Sequence, residues 1–134
     1  MFDINPSSTA PIWQQIEEGI RRMIAVGALA PGDPVPSVRD LARTLRVNPN
    51  TVARSYQRLI DRGVLTVKRG EGTYVAEAPA QPRKSERVEK LRDAAGQYAG
   101  TALALGVTRE DAVAELESSY DRMTKETRKA HESR

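Results

Sequence analysis

The chain has 134 residues, a formal net charge of +3, one histidine and no cysteine. That length holds one ordinary domain, or a small domain with an appendage, and excludes a large enzyme with a separate substrate domain. Without cysteine there are no disulfides and no thiolate zinc sites, and His131, in a charged tail, reads as solvated, so neither a metal nor a cofactor is expected.

Residues 1–10 lack the basic and then apolar pattern of a signal peptide, and no apolar run approaches the roughly 18 residues of a membrane span. A cytoplasmic protein without membrane contact is the expectation. The charge is unevenly placed. Between Ser37 and Arg69 there are eight Lys or Arg (Arg39, Arg43, Arg46, Arg54, Arg58, Arg62, Lys68, Arg69) against Asp40 and Asp61, whereas from Glu77 onward eleven basic residues meet eleven acidic ones. A local basic concentration beside a balanced remainder suits a segment that meets a polyanion.

In chain order, Pro11 reads as an early residue of a first helix capped by Thr9, with Ile12, Ile16, Ile20, Met23 and Ile24 at helical spacing until Gly27. Trp13 is expected to pack this helix against its neighbours. "GALAPGDPVP" (27–36) holds three prolines and two glycines and reads as a connection, with Asp33 as a turn residue. Ser37 and Asp40 have capping-box spacing at the start of a second helix, whose stripe is Val38, Leu41, Ala42 and Leu45 and which ends near Arg46. In "VNPN" Asn48 is suited to cap and Pro49 to begin a third helix, because proline has no N–H to donate and its φ is already helical. Val52, Tyr56, Leu59 and Ile60 form its apolar stripe; Asn50, Arg54, Gln57 and Arg58 lie opposite, with Thr51 at the margin. Gly63 ends it. Residues 64–67 and 73–76 then form a hairpin around Arg69-Gly70-Glu71-Gly72, with Tyr56 and Tyr74 expected to fill the small core.

"EAPAQPR" (77–83) reads as a linker. Beyond it, Val88, Leu91, Ala95, Tyr98, Ala102 and Leu105, then Val113, Leu116, Tyr120, Met123 and Thr127, alternate steps of three and four, with Thr108 and Asp111 spaced as another capping box. Two helices folded back as a hairpin fit this. Their remaining apolar edge needs a second copy, so a homodimer through residues 84–130 is expected.

Helix, connector, helix, tight turn, helix and hairpin is the order of a winged helix-turn-helix, whose third helix enters the DNA major groove. The class is therefore α+β: a winged helix-turn-helix DNA-binding domain (1–76), a linker (77–83) and a two-helix dimerisation hairpin (84–134). Asn50 and Thr51 can approach base edges, Arg54 can reach guanine or phosphate one turn later, and Arg39 lies beside the same groove. Arg58 and Arg62 read as solvated or phosphate-contacting.

Three stretches also resemble the GntR family of transcription regulators: "PIWQQIEEGI" from Pro11, "GALAPGDPVPSVRDLARTLRVNPNTVARSYQRLIDRGVL" from Gly27, and "RGEGTYV" from Arg69. The short helical remainder looks like the YtrA-like subfamily. The resemblance implies a dimeric bacterial regulator, commonly a repressor, bound to double-stranded DNA, and the two-fold dimer expected through residues 84–130 calls for an operator of inverted half-sites. It places DNA contacts on Arg39, Asn48, Asn50, Thr51 and Arg54, with Gly70 and Gly72 in a wing that reaches the minor groove. Ala53 stands where many relatives with larger effector domains carry a base-reading arginine. Glu71 puts a carboxylate at the wing tip, leaving wing contact to Arg69, Thr73 or backbone amides.

No histidine is paired with a nucleophile and no glycine loop suits a phosphate, so the chain does not read as an enzyme. The alternative function is an interaction module that binds nucleic acid without sequence preference. A small-molecule effector, if one acts, is expected at the dimer interface or between the hairpin and the winged domain, since two helices enclose little volume.

Overall fold

The computed structural model describes residues 2–132 of the chain, with side chains described as far as residue 125; Thr127 and His131 lie outside the described side chains. The chain divides into two compact units, Met1–Ala80 and Gln81–Arg134.

The first unit carries α1 (Ile12–Ala25), α2 (Val38–Leu45), α3 (Pro49–Asp61), β1 (Leu65–Lys68) and β2 (Gly72–Val75). Pro11 itself occupies the position before α1, extended at ψ 152, and neither it nor Thr9 supplies a side-chain cap. The turn leading in is closed instead by Ser8, whose hydroxyl accepts from Ala10 N at 3.1 Å. Further along, Ser37 Oγ accepts from Asp40 N at 3.1 Å, half of the anticipated box at α2. Between α2 and α3, Arg46 adopts the left-handed conformation (φ 57), and Asn48 Oδ1 accepts from Asn50 N at 2.8 Å with Pro49 opening the helix. A non-glycine residue there costs about 1–2 kcal/mol, which the cap and the packing of both helices offset. Gly63, at φ 77, ends α3 as expected.

The helices close on one core. Ile16, Ile20, Leu41, Val52, Leu59 and Val75 are fully enclosed, and each such side chain contributes about 1.5–3 kcal/mol by leaving water. Tyr56 joins them, and its hydroxyl donates to Pro36 O at 2.7 Å. Tyr74 does not. Leu65 pairs with Val75 and Thr66 with Tyr74 in the antiparallel hairpin, so strand alternation sends Val75 inward and leaves Tyr74 half-buried on the other face. There Lys68 Nζ sits 4.5 Å from the centre of its ring.

The proline-rich connector is more than a connection. Val35 N donates to Thr73 O (3.0 Å), Val75 N to Asp33 O (2.8 Å) and Gly32 N to Val75 O (2.9 Å), so it lines the outer edge of β2. Asp33 is the turn residue expected, its carboxylate accepting from Ala30 N at 2.9 Å. Residues before α1 are also part of the fold: Phe2 and Ile4 pack against the core, and Gln15 binds back to Asn5 through both its amide atoms. At the other end, Ala80 N donates to Gly63 O at 3.2 Å, which ties residues 77–80 to this unit.

The second unit holds α4 (Lys84–Ala104) and α5 (Arg109–Glu132). Thr108 Oγ1 accepts from Asp111 N at 3.1 Å, capping α5 as its spacing predicts. The helices meet near their turn, where Tyr98 Oη donates to Ala112 O at 2.7 Å. An open apolar cleft of about 400 Å³ separates them there, lined by Tyr98, Ala102, Leu103, Val107, Val113 and Leu116 among others. No described residue of α4 is buried, and Leu91, Leu105 and Tyr120 are 72, 74 and 71% exposed.

Candidate nucleic-acid interface

Amphipathicity divides α3 lengthwise. Val52, Ser55, Tyr56 and Leu59 face the core, and the remaining positions of its first two turns, Asn50, Ala53 and Arg54 among them, are exposed, with Thr51 half-buried at the margin. The helix start therefore presents short polar side chains and one long cation, with the amide dipoles of the first turn aimed outward toward any anion. Arg39, the second residue of α2, is exposed, as is Asn48 in the turn. Arg69 and Gly70 are exposed in the hairpin loop and Gly72 at the start of β2, the two glycines at φ of 78 and 124, while Thr73 is half-buried and its carbonyl holds the connector.

Arg58 is placed otherwise than its sequence suggests. Rather than standing in solvent, its Nε donates to Glu17 Oε1 at 2.6 Å and its guanidinium lies 4.3 Å from the centre of the Trp13 ring. The Glu17 side chain is only 7% exposed and that of Arg58 33%. A carboxylate so enclosed needs a charge partner, and α3 supplies it from one turn beyond Arg54. Trp13 does pack α1 against α3: its backbone carbonyl lies 3.1 Å from the buried Ser55 hydroxyl, which also reaches Thr51 O at 2.9 Å. Arg54 leans over the same indole at 5.6 Å.

This cluster escaped the sequence reading, although one signal for it existed. Glu17 falls four residues after Trp13 and three before Ile20, on the apolar stripe of α1, and an acid on such a stripe calls for a cation on a facing helix. Among the described residues no group of acidic or histidine side chains could hold a metal ion, and no helix is long and apolar enough to cross a membrane.

Three packed helices, a tight turn capped by asparagine and a two-stranded wing define the class: a winged helix-turn-helix DNA-binding domain. Residues 12–75 match the family described as "Bacterial regulatory proteins, gntR family". Over 77 residues the chain is 42% identical to the HTH-type transcriptional repressor YtrA of Bacillus subtilis, covering 58% of this chain and 59% of that one, so it spans less than two thirds of that relative. A solved structure of YtrA from Sulfolobus acidocaldarius, a GntR-family transcription factor, is 32% identical with a TM-score of 0.53, covering 90% of this chain and 97% of that one. The DNA-binding domain of AraR, solved in complex with operator ORX1, is 26% identical with a TM-score of 0.52, covering 57% of this chain and 96% of that one. The chain belongs to the GntR family, and its likeness to both YtrA proteins sets it among the YtrA-like members.

Proposed function

We propose that this protein is a sequence-specific DNA-binding transcription regulator, a bacterial repressor that acts as a homodimer on an inverted-repeat operator. The observation that carries the reading is the division of α3, whose buried face fixes it to the core while its polar and basic first turns stay open, as does Arg39 on α2. Family membership supports it, as does the likeness to a domain solved on its operator. In this reading α3 enters the major groove, Arg54 reads guanine or an adjoining phosphate, Asn50 and Thr51 approach base edges, and Arg39 and Asn48 fix the register on the backbone. The wing, through Arg69, Thr73 and the open backbone at Gly70 and Gly72, lies along the minor groove. Arg58, already engaged by Glu17, acts chiefly by holding α3 and makes at most a phosphate contact through its exposed edge.

The homodimer is supported by the second unit, in which Leu91, Leu105 and Tyr120 are left open to water by a single chain. A second copy of the same helices would cover them and create the two-fold symmetry that an inverted repeat requires. The chain then works by occupancy of DNA and not by catalysis.

Footprinting on the promoter of its own operon supplies the operator. Arg54→Ala should then cost about 1–3 kcal/mol on that site and relax discrimination against scrambled duplex. An Arg54→Ala protein that binds operator as tightly as the wild type overturns the recognition face. Equal wild-type affinity for operator and scrambled duplex at 150 mM salt points instead to the module without sequence preference.

A further inference from the structure

Arg54 is exposed on the face assigned to DNA, yet it does not stand alone, because its guanidinium carbon lies 5.6 Å from the centre of the Trp13 ring. The same ring carries Arg58 at 4.3 Å, and Arg58 is fixed in turn by the enclosed Glu17 at 2.6 Å. Two arginines one helical turn apart thus share one indole from the neighbouring helix, and the deeper of them is anchored by a buried charge. A cation over an indole face is attracted by the ring's negative quadrupole, and tryptophan is the strongest of the aromatic side chains in this respect. The backbone of Trp13 is also tied to α3 through the Ser55 hydroxyl, so the ring's position relative to Arg54 follows the packing of α1 on α3.

We propose that Trp13 is a positioning residue for Arg54: the indole, set by the Arg58–Glu17 pair, holds the Arg54 guanidinium at the edge of the recognition face before DNA arrives. An unrestrained arginine loses rotamer freedom when it makes a bidentate base contact, and that ordering is subtracted from affinity. A side chain already confined over a ring loses less, and the gain applies only where the base contact is made. Trp13 therefore raises affinity for operator more than for other DNA, although it touches no base.

The inference rests on the DNA-reading role assigned to Arg54, and a double-mutant cycle separates the two. Trp13→Phe, Trp13→Leu, Arg54→Ala and the two Trp13 changes combined with Arg54→Ala are compared with the wild type by fluorescence anisotropy on operator and on scrambled duplex, over a salt series. Trp13→Leu keeps an apolar side chain in the packing but has no ring, so it should lower the ratio of operator to scrambled affinity roughly tenfold with an unchanged salt slope. Trp13→Phe retains a ring and should recover most of the ratio. In the Arg54→Ala background neither change should alter it. Circular dichroism melts identify any variant lost to unfolding, and Trp13→Phe then carries the cycle alone, with its smaller loss again absent once Arg54 is removed. If Trp13→Leu costs the same ratio with and without Arg54, or matches Trp13→Phe, the ring serves packing only and the inference is wrong while the functional reading stands. If the wild type itself shows no preference for operator, the functional reading fails and takes the inference with it.

Discussion

Asn48 carries two duties at one position. Its Oδ1 accepts from Asn50 N at 2.8 Å and so caps α3, and the same exposed amide is among the proposed DNA contacts. Aspartate caps as well as asparagine and suits the helix dipole, but adds a negative charge where phosphate is to lie. Asn48→Asp should accordingly keep the unfolding free energy in urea within about 0.5 kcal/mol of wild type while operator affinity falls roughly tenfold, whereas Asn48→Ala should lose about 1 kcal/mol of stability. Asn48→Asp binding operator normally would remove this residue from the interface. Tyr56 is the other residue whose chemistry is set by position. Burial pushes its hydroxyl well above the ordinary phenol range, since a phenolate there would lose its hydration. The folded state thus holds the proton more tightly than the unfolded chain, so this stability is complete below the ordinary phenol pKa of about 10 and declines as pH rises past it. Tyr56→Phe should cost about 1 kcal/mol at neutral pH by stranding Pro36 O, and should flatten the decline in urea midpoint between about pH 9 and 11. An equally steep decline in the variant would assign it to other groups.

At the scale of the element, α1 is governed by one contact that its own periodicity does not announce. Gly19 is buried mid-helix, and a Cβ built there would lie 2.5 Å from the ring of Phe2. The helix gives up propensity at this position so that the chain's beginning can close over it. Two opposing magnitudes decide the effect of filling the site. Alanine returns about 1 kcal/mol of helix propensity over glycine, while displacing an aromatic ring from a packed position costs about 1–3 kcal/mol. Gly19→Ala should therefore destabilise the protein by about 1 kcal/mol, yet stabilise a Phe2→Ala background by about 0.5–1 kcal/mol once the ring is gone. Urea denaturation of the four proteins measures the coupling, and the same sign of effect in both backgrounds would mean that Phe2 does not close on α1. The wing shows the same dependence on a neighbour. Two four-residue strands are marginal by themselves, and the connector from Gly32 to Val35 supplies a second line of hydrogen bonds along β2.

At the scale of the whole molecule, the two units differ in what a single chain can bury. The first encloses Ile16, Ile20, Leu41, Val52, Leu59 and Val75 without help, while the second leaves its apolar stripes in water. The first should fold alone when cut after Ala80, whose amide is still held by Gly63. The second should require its copy. Removal of residues 81–134 is expected to give a folded monomer that binds operator at least about 100-fold more weakly, because two half-sites can no longer be engaged together. Sedimentation velocity and anisotropy check the two halves of this expectation. A truncated protein with full affinity, or a full-length protein that stays monomeric at micromolar concentration, would show that the helices serve something other than pairing.

Much of the winged domain was legible because its determinants act over three or four residues. The interruption at Asn48-Pro49, the Ser37 cap, the helix ends at Gly27 and Gly63 and the inward face of α3 all follow from backbone hydrogen bonding and helical periodicity, which a local stretch of sequence carries in full, as does the Thr108 cap in the second unit. The start of α1 was placed slightly early because Thr9 satisfies the local rule for a cap, whereas Pro11 precedes the helix without any side-chain cap and Ser8 closes only the turn before it. Tyr74 was drawn to the core on residue type alone, whereas strand register, with Leu65 opposite Val75, turned it outward. The connector's pairing with β2 and the closure of Phe2 on Gly19 depend on where distant segments arrive in space. So does the join between Glu17 and Arg58, 41 residues apart, which made an arginine of α3 the counter-charge of α1 and brought Trp13 beside Arg54. Sequence alone determined which elements form and which faces are apolar, because those are sums of local preferences; tertiary structure decided which side chains share an environment, because that depends on how the helices cross.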